Sequence, residues 1–239
     1  MMKRNNFPFS AVLGLNHAKT AILIVLVNPR AGGLLISGPR GIGKSTLMRS
    51  TQELIERPWR DIPVSVTEDR LFGTIDTEKA IYSGQKKLYP GIINEADQGV
   101  LYLDDANLLR EDLLDFILNI AEVGAYQLER DGLSLRCDTS FTVIAAINPE
   151  SGMLSGACLD QFGLFVNVDN IHDENTRVEI LKRTISFEKD CASFCKLWKL
   201  ENEKIKKAIH SAMSLLPKVV VSSAMIQLAS VYALKAHVS

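Results

Sequence analysis

The chain has 239 residues, 46% hydrophobic and 23% charged, with a formal net charge of −1. That length suits one sizeable core with or without a small annex, and the near-neutral balance excludes the strongly basic surface that a nucleic-acid-binding domain carries. The longest apolar run, Ala21 to Val27, is far short of the ~20 residues a membrane-crossing helix needs, and Met1 to Ser10 lacks the apolar centre of a signal peptide, so a cytoplasmic protein with no nucleic-acid or membrane partner is expected.

In chain order, the first clear element is Gly33-Leu34-Leu35-Ile36-Ser37, a short apolar run that reads as a buried strand. Gly38-Pro39-Arg40-Gly41-Ile42-Gly43-Lys44-Ser45 follows, matching G-x-x-x-x-G-K-[ST] at each defined position. Phosphate oxygens need many donors at short range. A loop of small residues turns its backbone N–H groups inward, Gly41 and Gly43 admit close approach, and the helix opening near Lys44 adds the positive end of its dipole. Lys44 is the candidate for the β- and γ-phosphates and Ser45 the candidate ligand of Mg²⁺. With Thr46, the next residue of the helix, Gly38 to Ser45 form the expected ATP-binding set.

The helix is expected over Gly43 to Ile55, stopped by Arg57-Pro58, with a short strand at Val64 to Val66. Gly99-Val100-Leu101-Tyr102-Leu103 is a second buried strand and delivers Asp104-Asp105 at its carboxyl end. Open α/β sheets bind ligands at that edge. Asp104 is the second candidate metal residue, acting through water, and Asp105 a candidate to orient the attacking water. Leu108 to Val123 has helical spacing, with Leu109, Leu113, Phe116, Ile117 and Ile120 along one side. Tyr126-Gln127-Leu128 and Leu133-Ser134-Leu135 flank Asp131-Gly132, a hairpin signal. Phe141 to Ile147 is a third buried strand, ending at Asn148-Pro149; the Asn148 amide is a further candidate for placing water. Leu164 to Val168 is a fourth strand.

Beyond Asp169 the pattern turns helical: Glu174 to Phe187, Lys199 to Leu216, and a last helix capped by Ser222 or Ser223 and running to about Lys235. Apolar runs alternating with helices predict an α/β fold with a mostly parallel sheet, divided into a core over 1–172 and a helical annex over 173–239. The four cysteines, Cys137, Cys158, Cys191 and Cys195, contain no CxxC pair and read as buried free thiols.

Several segments together are similar to magnesium chelatase subunit I: Phe7-Pro8-Phe9, Gly14, and Val27-Asn28-Pro29-Arg30-Ala31-Gly32-Gly33 at the start, then Thr67 to Asp76 and Gly91 to Leu109. Glu129 to Ser134, Asn148-Pro149-Glu150 and Leu159-Asp160-Gln161-Phe162-Gly163-Leu164 continue the pattern. The resemblance covers nearly the whole chain, in order. It implies an AAA+ P-loop NTPase, a three-layer α/β core with a parallel sheet followed by a helical lid. It also implies an ATPase with ATP and Mg²⁺ as cofactors that assembles into rings of itself or paralogous AAA+ subunits. Its hydrolysis would drive Mg²⁺ insertion into a porphyrin held by a separate chelatase subunit. A partner with an integrin-like von Willebrand A domain links the two. The hairpin at Tyr126 to Leu135 resembles the family insertion that precedes the third strand.

The chain departs from the family pattern at the chemical step. Asp-Glu becomes Asp104-Asp105, one methylene shorter. Leu-Asp-Arg-Phe-Gly, whose Arg reaches a neighbour's γ-phosphate, becomes Leu159-Asp160-Gln161-Phe162-Gly163, and a nearby Arg is replaced by Ser155. The family's Gly-x-Arg lid motif would fall just past Ser239, so the lid is expected to be partial. Two further readings therefore stay open: a hydrolysis-impaired nucleotide-binding scaffold in a mixed ring, and a MoxR-like AAA+ chaperone.

Overall fold

The computed structural model describes residues 6–75, 88–130 and 133–236. After a short 3-10 turn at Phe9–Ala11, helix α1 (Asn16–Val27) precedes β1 (Leu34–Ser37), α2 (Lys44–Thr51), β2 (Trp59–Ile62), α3 (Glu68–Phe72), β3 (Gly73–Ile75) and β4 (Leu88–Pro90). Next come α4 (Ile92–Glu95), β5 (Val100–Leu103), α5 (Glu111–Val123), β6 (Ala125–Arg130), β7 (Leu133–Asp138) and β8 (Thr142–Ile147). The chain closes with α6 (Gly156–Asp160), β9 (Leu164–Asn167), α7 (Glu174–Lys189), α8 (Cys191–Leu215) and α9 (Ser223–Ala236).

Five strands form one parallel sheet in the order β2-β5-β8-β1-β9. The side-chain period of two splits the strands between two apolar layers. Leu35, Leu101, Leu103, Val143, Ala145 and Ile147 face α4 and α5. Leu34, Ile36, Val100, Tyr102, Ile144 and Ala146 face α1 and α2. With both faces covered, the central strands are buried at every position, which explains why they read as unbroken apolar runs.

Four expectations need correction. No strand runs through Val64 to Val66; those residues form a turn, and the strand in this region is β2, at the sheet edge and mostly exposed. Packing against β5 sets that choice, not the β-branched valines. The buried side of α5 is Leu113, Leu114, Ile117, Leu118 and Ile120, whereas Phe116 is 58% exposed, with its ring 6.1 Å from that of Phe72 in an edge-on contact. Helix α8 starts eight residues earlier than Lys199, at Cys191, where Asp190 caps it by accepting from the Ser193 N–H. Cys137 and Cys158 are buried, but Cys191 and Cys195 are partly exposed on α8, and none of the four forms a disulfide. Helix α1, across the apolar run at Ala21 to Val27, adds an element the pattern alone did not define.

The hairpin β6–β7 forms as expected, with its Asp131-Gly132 turn outside the described residues. It is anchored by the Tyr126 hydroxyl, 2.8 Å from the Phe72 carbonyl oxygen and 2.7 Å from Asn94 Oδ1. The C-terminal helices are tied to the N-terminal segment. Phe7 packs on Phe187 and Phe194, each at 5.2 Å. Arg183 donates to the Ala11 carbonyl at 3.0 Å and lies 4.5 Å over the Trp198 ring. These contacts hold α7 beside the loop that follows β1. Among the described residues no single helix is long and apolar enough to cross a membrane; α8 and α9 pass that test only as a pair bent by 103°.

Candidate functional site

The loop between β1 and α2 lies at the carboxyl edge of the sheet. Gly38 needs to be glycine because a Cβ there would stand 2.5 Å from the Val168 carbonyl oxygen. Gly41 and Gly43 have φ of +81° and +93°, values that L side chains rarely adopt. A Cβ on Gly41 would meet nothing within 4 Å, so backbone conformation and not crowding favours glycine there. Arg40, Gly41 and Thr46 are exposed along its mouth, with Pro39 and Ile42 partly buried beside them.

Lys44 is 8% exposed. Its ammonium donates to the carbonyl oxygens of Gly38 at 2.5 Å and Pro39 at 2.8 Å. Burial pulls its pKa below the ordinary lysine value, while the nearby Asp105, Asp104 and Glu150 carboxylates oppose that shift. Ser45 follows on α2, and its hydroxyl donates to Asp104 Oδ1 at 3.1 Å. One hydroxyl and one carboxylate oxygen at that spacing are hard oxygen donors of the kind that suits Mg²⁺.

Asp105 is partly buried in the left-handed conformation, φ 50° and ψ 49°, which short polar residues tolerate better than most. It caps the 3-10 turn Ala106–Leu108, with its carbonyl accepting from the Leu108 N–H at 2.8 Å. Its carboxylate acts on the charge of Lys44. Asn148 stands at the tip of β8, 2% exposed. Its amide is already engaged: Nδ2 donates to Ser151 Oγ at 3.2 Å, and Oδ1 accepts from the Glu150 N–H at 3.2 Å. It shapes the turn after β8. The structure therefore brings Lys44, Ser45, Asp104 and Asp105 to one edge and sets Asn148 beside them, with one amide N–H and the amide oxygen each in a hydrogen bond.

Two residues at this edge were not among the expected set. Asn107 donates to the carbonyls of Asn148 at 3.1 Å and Gly152 at 2.9 Å, linking the loop after β5 to that after β8. Tyr102 is 2% exposed, and its hydroxyl has no hydrogen-bond partner among the described residues. Its only signal in the sequence is a phenol placed in an otherwise aliphatic strand. Two of the three departing positions flank α6. Ser155 caps that helix, accepting from the Cys158 N–H at 3.4 Å, and Gln161 ends it, with Nε2 directed to the Ala157 carbonyl at 3.4 Å.

A cleft of about 860 Å³ opens next to the loop. Gly41, Ile42 and Thr46 line it together with Leu13, Ile171 and Arg177 of α7. Among the described residues no cluster of three or more His, Cys, Asp or Glu side chains is arranged to hold a metal ion.

A parallel sheet, a glycine loop leading into a helix, and a hydroxyl–carboxylate pair at the strand ends define a P-loop nucleotide-binding protein. The family described as AAA domain (dynein-related subfamily) matches residues 33–161. Among curated proteins, the chain is 34% identical to a magnesium-chelatase 38 kDa subunit of Chlorobaculum tepidum, over 92% of this chain and 67% of that one. It is 33% identical to a magnesium-chelatase subunit ChlI homolog of Methanocaldococcus jannaschii, over 96% and 73%. It is 32% identical to magnesium-chelatase subunit ChlI of a Synechocystis species, over 92% and 72%. A solved structure of the complex between subunits BchI and BchD of magnesium chelatase matches with a TM-score of 0.66 and 35% identity, over 90% of this chain and 77% of that one. The chain belongs to the magnesium-chelatase subunit I family of AAA+ ATPases.

Proposed function

We propose that this chain binds Mg·ATP at the loop Gly38 to Thr46 and acts as the motor subunit of a metal chelatase. Its hydrolysis of ATP would be coupled to metal insertion into a tetrapyrrole by partner subunits. The observation that carries the reading is the 3.1 Å contact between Ser45 and Asp104, made across 59 residues of sequence at the mouth of the glycine loop. In this reading the backbone amides of the loop and the Lys44 ammonium hold the β- and γ-phosphates. Ser45 and Asp104 hold Mg²⁺, which offsets the charge of the phosphate oxygens. Lys44 exchanges its two carbonyl acceptors for phosphate oxygens without leaving the loop. Asp105 faces the attacking water, and Asn148, which keeps a second amide N–H beyond the one given to Ser151, assists in placing it. The cleft between Leu13 and Arg177 takes the base and ribose.

The α/β core over 1–172 and the helices over 173–239 act as core and lid, with the nucleotide at their junction. The partners are copies of this chain or AAA+ paralogues in a ring, a von Willebrand A-domain subunit, and, indirectly, the porphyrin-binding subunit; the compartment is the cytoplasm. The solved relative, a complex between two kinds of chelatase subunit, supports an assembly of paralogues. The relatives' names favour this reading over a MoxR-like chaperone. Calorimetry with millimolar Mg·ATP tests it: the chain is expected to bind and Lys44→Ala to bind far more weakly. No heat of association with the unsubstituted chain would overturn the assignment.

A second reading, a nucleotide-binding scaffold that hydrolyses slowly by itself, is favoured by Gln161 and Asp105. Gln161 is neutral and hydrogen-bonded within its own helix end, and an arginine at such a position supplies ~10³–10⁵ in rate. A paralogue carrying the arginine would then complete the site. Turnover of the chain alone at several per second, unchanged by Gln161→Ala, would exclude this second reading.

A further inference from the structure

Tyr102 occupies the last but one position of β5, on the same face of the sheet as Val100. The alternation of the strand carries that face on to Asp104 two residues later. Its ring packs against Trp59 at 5.9 Å, between the sheet and the layer that includes Leu47 and Met48 of α2. The residue is 2% exposed, and its hydroxyl has no hydrogen-bond partner among the described residues. The Asp104 side chain is turned to the same α2 layer, since its Oδ1 accepts from Ser45 of that helix. A phenol is protonated at neutral pH and is a hydrogen-bond donor.

A buried hydroxyl without a partner destabilises a fold, and phenylalanine would fill the same volume without that penalty. The penalty has an explanation if the hydroxyl is used in another state of the site. An acceptor at the end of its own strand is the Asp104 carboxylate, whose Oδ1 already accepts from Ser45. Residues that hydrogen-bond a metal-ligating carboxylate from behind fix its orientation and raise metal affinity.

We infer that Tyr102 is a positioning residue for the metal site: its phenol donates to the Asp104 carboxylate and holds it facing Ser45 for Mg²⁺. The inference rests on the nucleotide-binding reading above and adds a residue to it. It gives the chain a donor behind the carboxylate that Phe, Leu or Ile at this strand position could not supply.

The test is Tyr102→Phe in the full chain. Binding of a fluorescent ATP analogue is followed while free Mg²⁺ is titrated in a chelator buffer, and thermal melting is recorded without nucleotide. The Mg²⁺ concentration at half-saturation is expected to rise about 10–100-fold. The affinity for the magnesium-free analogue should be unchanged, and the nucleotide-free melting temperature equal or higher. In an Asp104→Asn background Tyr102→Phe should shift the Mg²⁺ midpoint no further, because the tyrosine acts through that carboxylate. The same Mg²⁺ midpoint in Tyr102→Phe as in the unsubstituted chain overturns the inference while leaving nucleotide binding intact. So does a lower melting temperature with an unmoved midpoint, which marks a packing role. Failure of the unsubstituted chain to bind the analogue removes the nucleotide-binding reading and this inference with it.

Discussion

Asn107 Nδ2 lies 3.1 Å from the carbonyl oxygen of Asn148 and joins the loop after β5 to the tip of β8. The same amide nitrogen donates to the Gly152 carbonyl at 2.9 Å. One side chain thus sets the spacing between the carboxylate end of β5 and the polar end of β8, the two strand tips that flank the γ-phosphate position in the proposed site.

Replacing Asn107 by Ala removes both donors. At about 0.5–1.5 kcal/mol for each neutral hydrogen bond, the loss is about 1–3 kcal/mol. Chemical denaturation should show it directly. Turnover should fall by more than nucleotide affinity does, because the phosphate loop itself is untouched.

Lys44→Ala should weaken Mg·ATP binding by about 10–100-fold, the equivalent of about 1.5–3 kcal/mol for a charge-assisted hydrogen bond. Calorimetry measures it.

The same lysine makes nucleotide affinity depend on pH. In the free chain its pKa lies below the ordinary value because of burial, and bound phosphate, being negative, raises it. The bound state therefore holds the proton more tightly. Affinity is full below the free-state pKa and falls as pH rises through it, earlier than an ordinary lysine would give. Binding measured from neutral to alkaline pH should show this limb, and Lys44→Ala should lack it.

Gln161→Arg combined with Asp105→Glu should raise ATP turnover in the assembled complex, with the arginine able to contribute up to ~10³–10⁵. Steady-state phosphate release is the measurement. An unchanged rate would show that these two positions do not limit hydrolysis.

Leu47, fully buried on α2 directly behind the loop, should cost about 2–5 kcal/mol when changed to Ala, through lost burial and the cavity left behind. Leu197 on α8 is 76% exposed, and Leu197→Ser should stay within about 0.5 kcal/mol. Melting curves of the two variants make the comparison.

Much of the core was legible before any coordinates. The strands β1, β5 and β8 are buried on both faces, so each appears as a largely apolar run; β1 leads into the glycine loop, and β5 and β8 are followed by Asp104 and Asn148. The strand β2 was not legible, because three of its four residues are intermediate or exposed and its pairing with β5 decides it. Phe116 was misassigned because helical spacing fixes a face only to within a neighbouring position. Leu114 and Leu118 won the buried side through contacts with the sheet that periodicity does not contain.

Local sequence determined the phosphate loop: eight consecutive residues set its φ angles, its donors and the start of α2, and these depend on near neighbours in the chain. Only the tertiary structure decided that Ser45 meets Asp104, that Asn148 bonds to Ser151 and Glu150 in the turn after β8, and that the Tyr102 phenol is buried in the layer with α2. Those facts follow from strand order, in which β8 lies between β5 and β1. A contact across 59 residues is set by how whole elements pack against one another, which no local pattern specifies.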